Sequence, residues 1–85
     1  MKTLPYAVTF TYSFDEDAAT YLFEHLDEAE EFLVDSMQKE YNIDKNENEW
    51  NSELYISNTK CYAKITTHFR DHDDVTEAHL SNIYN

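Results

Sequence analysis

Asp27-Glu28-Ala29-Glu30-Glu31-Phe32-Leu33-Val34-Asp35-Ser36-Met37-Gln38-Lys39-Glu40-Tyr41 is a helix signal set between two groups of strand signals. Ala29, Phe32, Leu33, Ser36, Met37 and Tyr41 recur at helical spacing and form one apolar stripe, while Glu28, Glu31, Asp35 and Gln38 face away from it. Asp27 with Glu30 three positions later fits a capping box in its Asp variant. The spacing predicts a helix over 28–41, about 20 Å long at 1.5 Å per residue. Acids in its first turns and Lys39 in its last suit the helix dipole. From Asn42 to Glu49 only Ile43 is apolar, and the segment reads as a polar loop.

On the N-terminal side, Tyr6, Val8, Phe10, Tyr12 and Phe14 alternate with Ala7, Thr9, Thr11 and Ser13. That period of two describes a half-buried strand with one aromatic face and one small polar face. Asp15-Glu16-Asp17 reads as a turn, and Ala18 to Phe23 as a second, shorter strand that closes a hairpin with the first. On the C-terminal side, Trp50, Ser52, Leu54 and Ile56 alternate with Asn51, Glu53, Tyr55 and Ser57. Ser57-Asn58-Thr59-Lys60 reads as a turn in which Asn58 takes the left-handed conformation. Cys61, Ala63, Ile65, Thr67 and Phe69 then alternate with Tyr62, Lys64, Thr66 and His68 in a fourth strand, and Arg70 to Asp74 form a polar turn. Residues 75–84 admit two readings. Val75, Ala78 and Ile83 fit a helical stripe, whereas Thr76, Ala78, Leu80 and Tyr84 alternate as in a strand, the reading an antiparallel meander favours.

The expected fold is α+β, with a single α-helix packed on one face of an antiparallel four- to five-stranded sheet, in the order β-β-α-β-β-(β). Ala29, Phe32, Leu33 and Met37 are expected to meet Val8, Phe10, Tyr12, Trp50, Leu54, Ile56, Ile65 and Phe69. Thr9, Thr11, Ser13, Glu53, Tyr55, Tyr62, Lys64, Thr66 and His68 are left for a solvated opposite face. The 85 residues, 1–85, are expected to form one domain, small enough to bury only roughly 60–65% of its unfolded surface.

Composition narrows the chemistry. The chain has no Gly, which excludes the phosphate-cradling loops built on it, and a single cysteine, Cys61, which excludes an intramolecular disulfide. Residues Met1 to Pro5 carry no apolar signal region, and no apolar run is long enough to span a membrane, so an intracellular, cytoplasmic location is expected.

The net charge is −12, from 18 acids and 6 lysines and arginines, and it is segregated. Between Asp15 and Glu49 lie 13 acids and only two bases, Lys39 and Lys45, so this segment nets −11. Such a chain is repelled by nucleic acid and by anionic membranes, and attracted to basic proteins. Carboxylates are hydrogen-bond acceptors for arginine and lysine, as phosphate oxygens are. A helix rises about 4.5–6 Å between positions three or four apart, against about 3.4 Å per nucleotide of duplex, so the mimicry is one of field and acceptor position. The expected partner-binding residues are Asp15, Glu16, Asp17, Glu24, Asp27, Glu28, Glu31 and Asp35, with Glu24, Asp27 and the Asp15–Asp17 turn gathered near the helix start.

His25, His68, His72 and His79 lack a recognisable nucleophile context, and no catalytic residue is assigned. Asp71-His72-Asp73-Asp74, with His68 just before, gathers ligand types at a turn but lacks the spacing of a calcium loop, so no metal and no cofactor are expected. Tyr55 and Tyr62 could stack bases, but cross-strand pairing accounts for them under this field.

In size, in acidity and in the order Tyr6–Phe14, Asp27–Tyr41, Trp50–Ile56, Cys61–Phe69, the chain resembles the small acidic proteins of phages and mobile elements of low-GC bacteria, especially inhibitors of the anti-CRISPR type. The resemblance implies a non-enzymatic, stoichiometric inhibitor whose partner is a basic nucleic-acid-binding protein, a CRISPR effector nuclease above all. An immunity protein or antitoxin masking a nuclease toxin requires the same electrostatics. A small structural or metal-binding module is the third reading, and a solvated acidic face that gives only solubility is the plain one. The chain is expected to be a monomer or a weak homodimer.

Overall fold

The structure is a computed structural model that describes residues 4–47 and 51–83, without the side chains of 44–47. Its elements are β1 (Tyr6–Tyr12), β2 (Asp15–Phe23), α1 (Leu26–Glu47), β3 (Asn51–Ile56), β4 (Tyr62–His68) and β5 (Asp73–Asn82). The five strands form one antiparallel sheet in the order β2-β1-β5-β4-β3, and α1 packs on one of its faces. The α+β expectation holds, and the segment with two readings is a strand.

The order follows from the directions of the strands. β2 ends at Phe23 on one edge, α1 runs back over the sheet, and β3 starts on the opposite edge. β5 pairs with β1 from Tyr6↔Asn82 to Tyr12↔Thr76 and with β4 from Tyr62↔His79 to His68↔Asp73. The residues facing α1 continue the period of two: Val8 and Phe10 on β1, Leu54 and Ile56 on β3, Ala63 and Ile65 on β4, Ala78 and Leu80 on β5. Ala29, Leu33 and Met37 of the helix are fully buried with them. Ala63 and Ala78 lie opposite one another on neighbouring central strands, and both are buried. Two short side chains there leave room for Leu33 and Met37 beneath a closely seated helix.

Several boundaries differ from the sequence reading, each for a physical reason. β1 stops at Tyr12, and the turn is Ser13–Phe14, with Phe14 exposed and its ring 5.5 Å from that of Tyr12. Asp15, Glu16 and Asp17 begin β2 rather than form a turn, because the register shifts between Phe10 and Tyr12 and a bulge absorbs the extra residues. Within it the Asp17 N–H donates to Asp15 Oδ1 at 3.0 Å. α1 starts at Leu26, and the Ala29 N–H donates to the His25 carbonyl at 3.2 Å, so Asp27 lies inside the first turn rather than at the cap. The helix also runs to Glu47, through most of the expected loop Asn42–Glu49. At 22 residues it is about 33 Å long, whereas seven-residue β4 spans about 23 Å. These added turns carry no apolar stripe, and Ile43, their one apolar residue, is exposed.

The β3–β4 turn closes with the Lys60 N–H donating to the Ser57 carbonyl at 3.0 Å. The residue with positive φ is Lys60, at 60°, not Asn58. A turn followed by one left-handed residue returns the chain to the next strand, and that residue is the third after Ser57. Cys61 precedes β4 and is half-buried, with its Sγ donating to the Thr59 carbonyl at 3.5 Å. Phe69 lies beyond β4 and stacks on His72 with ring centroids 4.9 Å apart, at the tip of the β4–β5 hairpin rather than in the core. The expected core member Trp50 and the strand residue Tyr84 lie outside the described residues.

Candidate functional site

The outward face of α1 carries Asp27, Glu28, Glu31 and Asp35, all exposed, with exposed Glu24 just before the helix. Glu28 to Asp35 covers about 10 Å of helix axis. Glu28, Glu31 and Asp35 border a shallow depression with Phe23, Phe32 and Lys39 on the β2 side. On the other side Asp27, Glu30, Glu31 and Asp35 border a second depression with Lys60 of the β3–β4 turn. Among the described residues no lysine or arginine forms an ion pair with Glu28, Glu31 or Asp35. Like charges three and four apart on a helix repel, and Lys39 and Lys60, the cations that border the array, stand outside ion-pair distance of it.

Asp15, Glu16 and Asp17 are not part of that group. β2 runs about 26 Å from Asp15 to Phe23, which places these acids at the opposite end of the sheet from Glu24 and Asp27. They stand beside the later turns of α1. The eight residues named from sequence therefore divide into a set of five along the first half of the helix and a set of three at the far end.

Between these sets lies a feature that sequence reasoning missed. Phe10, Tyr12, Tyr21, Phe32, Ser36, Met37, Glu40 and Thr76 line a concave pocket of about 150 Å³ under the later turns of α1. It lies where edge strand β2 meets the ring of Phe32 on the helix, 5.0 Å from that of Tyr21, and Tyr21 stays 47% exposed. Burial, and next the charges of Glu40, Tyr21 and Asp15, push the Tyr12 phenol above its ordinary pKa. The usable signal was the inward parity of Tyr12 on β1. Tyr21 shares that face only because it pairs with Val8, which the sequence does not reveal.

The open face of the sheet is built differently. Tyr62 Oη donates to Glu77 Oε2 at 2.7 Å, and this bond, followed by desolvation, pushes the phenol up to about 12. The Tyr62 ring lies 5.0 Å from His79 and 6.1 Å from Tyr55. Glu77 also stands opposite Lys64 in the ladder. His68 sits between two carboxylates, with Nδ1 2.9 Å from Asp73 and Nε2 3.4 Å from Glu53. The Asp73 bond, and then the Glu53 bond, raise its pKa. At the hairpin tip His72 is raised by Asp71, 2.7 Å away, and Asp71 is lowered in return.

These pairings consume the side chains that the sequence offered as metal ligands. Among the described residues no group of three or more His, Cys, Asp or Glu side chains is disposed to hold a metal ion. No helix among them is long and apolar enough to cross a membrane. No family model, no curated protein and no solved structure matches the chain.

Proposed function

We propose that this protein is a non-enzymatic, stoichiometric inhibitor that lays the carboxylate face of α1 into the basic nucleic-acid-binding cleft of a partner. Of such partners, an RNA-guided nuclease in a bacterial cytoplasm, the target of anti-CRISPR inhibitors, suits the face best. Its clefts hold duplex and heteroduplex through arginine and lysine, and read bases with arginine. One observation carries the reading: Glu28, Glu31 and Asp35 are exposed together on one helix face and have no cationic partner among the described residues. A basic cleft relieves their mutual repulsion and offers them charge-assisted hydrogen bonds.

The test is capture of the partner from host lysate, identification by mass spectrometry, and a cleavage assay with the captured nuclease. The expected result is an RNA-guided nuclease whose DNA cleavage stops at one equivalent of inhibitor. Affinity is expected to fall steeply between about 0.05 and 0.5 M salt as the charges are screened. Recovery of a toxin nuclease would move the protein to the immunity class. A captured partner without a basic cleft, or a salt-independent affinity, would overturn the reading.

A further inference from the structure

We propose that the pocket between the β1–β2 hairpin and the later turns of α1, lined by Phe10, Tyr12, Tyr21, Phe32, Ser36 and Glu40, receives an arginine side chain of the basic partner. The proposal rests on the reading above, and adds to it the anchoring residue and its socket.

The pocket combines three properties. It is aromatic: Tyr21 lies 5.0 Å from Phe32 and 5.9 Å from Phe10, centroid to centroid, in tilted and edge-on arrangements. It is concave, at about 150 Å³, with room for a guanidinium and its last methylenes. It is negatively polarised, since Glu40 lines it and Asp15 lies close enough to act on the Tyr12 phenol. An aliphatic occupant gains nothing from Glu40, and an acidic one is repelled by it. A guanidinium stacks on an aromatic face while its fork reaches a carboxylate, a pairing a lysine ammonium does not reproduce.

The site also links the two acidic sets. A basic segment lying along α1 would meet Glu28, Glu31 and Asp35 first, then the pocket, then Asp15, Glu16 and Asp17 at the end of the hairpin. The aromatic socket fixes where along that path one side chain stops, which a row of exposed carboxylates alone leaves undefined.

The test uses nona-arginine and nona-lysine peptides with the full chain at about 0.05 M salt, read by calorimetry and by NMR of the aromatic side chains. Nona-arginine is expected to bind at least about threefold more tightly than nona-lysine and to shift the Tyr12, Tyr21 and Phe32 ring signals. Glu40→Gln is expected to weaken nona-arginine about fivefold, against less than about twofold for Glu53→Gln, an equal loss of charge on the open face of the sheet. Tyr21→Leu, which keeps an apolar wall and removes the ring, gives a second loss of about threefold in a chain whose melting transition confirms folding. Equal losses for Glu40→Gln and Glu53→Gln with unshifted rings would overturn the pocket and leave the helix-face reading to the capture experiment above. No binding of either peptide would overturn both.

Discussion

Glu77, on the open face of the sheet, accepts a 2.7 Å hydrogen bond from Tyr62, and Glu53 and Asp73 share the ring of His68. Glu31, on α1, faces water beside Glu28 and Asp35, and no lysine or arginine among the described residues pairs with it. Both regions are acidic, but Glu53, Asp73 and Glu77 of the open face are bound to histidine and tyrosine of the same chain, whereas Glu28, Glu31 and Asp35 of the helix have no ion-pair partner among the described residues. The sheet carboxylates contribute to the fold. The helix carboxylates work against it through self-repulsion. A residue type spread over both regions thus has opposite energetic signs, decided by which neighbours the strand register supplies.

Charge reversal gives the largest effect by which this contrast can be broken. Glu28→Lys, Glu31→Lys and Asp35→Lys together are expected to weaken binding to a basic partner on the order of 100-fold, with circular dichroism unchanged. Glu53→Lys on the open face is expected to leave that affinity within about twofold. Equal losses from both faces would show that only total charge matters.

Tyr62→Phe comes next, at a cost of about 1 kcal/mol in denaturant unfolding for the lost hydrogen bond. The phenol is pushed up to about 12 from an ordinary value near 10, so its bond stabilises the fold fully below pH ~10. That contribution is lost as pH rises through about 12. An ultraviolet titration of the native protein should show a tyrosine that ionises at about 12 and is missing in the variant.

Neutralising the helix array with Glu28→Gln, Glu31→Gln and Asp35→Asn should act in the opposite sense, raising stability by about 0.5 kcal/mol at low salt. The gain should vanish in about 1 M salt. A loss of stability would mean that the array has partners within the chain.

The smallest effect is read by NMR. His68 should titrate above its ordinary value of about 6.5, because Asp73 and Glu53 both accept from the protonated ring. Asp73→Asn should bring it down further than Glu53→Gln. A group raised in this way favours the fold below the unfolded pKa and ceases to do so as pH rises through the folded one.

Much of the fold was legible because period-two alternation is local. Val8 and Phe10, Leu54 and Ile56, Ala63 and Ile65, and Thr76, Ala78 and Leu80 each announce an inward face within a few residues. What failed was what depends on distant partners. Asp15-Glu16-Asp17 looked like a turn because aspartate favours turns, but pairing with β1 draws it into a bulged strand. The helix past Tyr41 carries no apolar stripe, and exposed Ile43 gives its continuation no periodic signal. The acidic segment was visible as composition, and its first-half helix face as spacing. Its division into two ends was not, because that depends on β2 running antiparallel beside the helix's path. Glu40 was one acid among many until Tyr12 and Tyr21 were placed beside it.

The position of β5 bears on how the molecule assembles. The β1–β2 and β3–β4 hairpins each close over short loops, yet neither is hydrogen-bonded to the other; Asp73–Asn82 is the strip that joins them. A nascent chain therefore holds two separate halves bridged by a helix until β5 slots between them. Cooperativity arrives with those ten residues, and a ribosome-stalled product ending near Arg70 would display two ribbons whose inner edges still seek a mate.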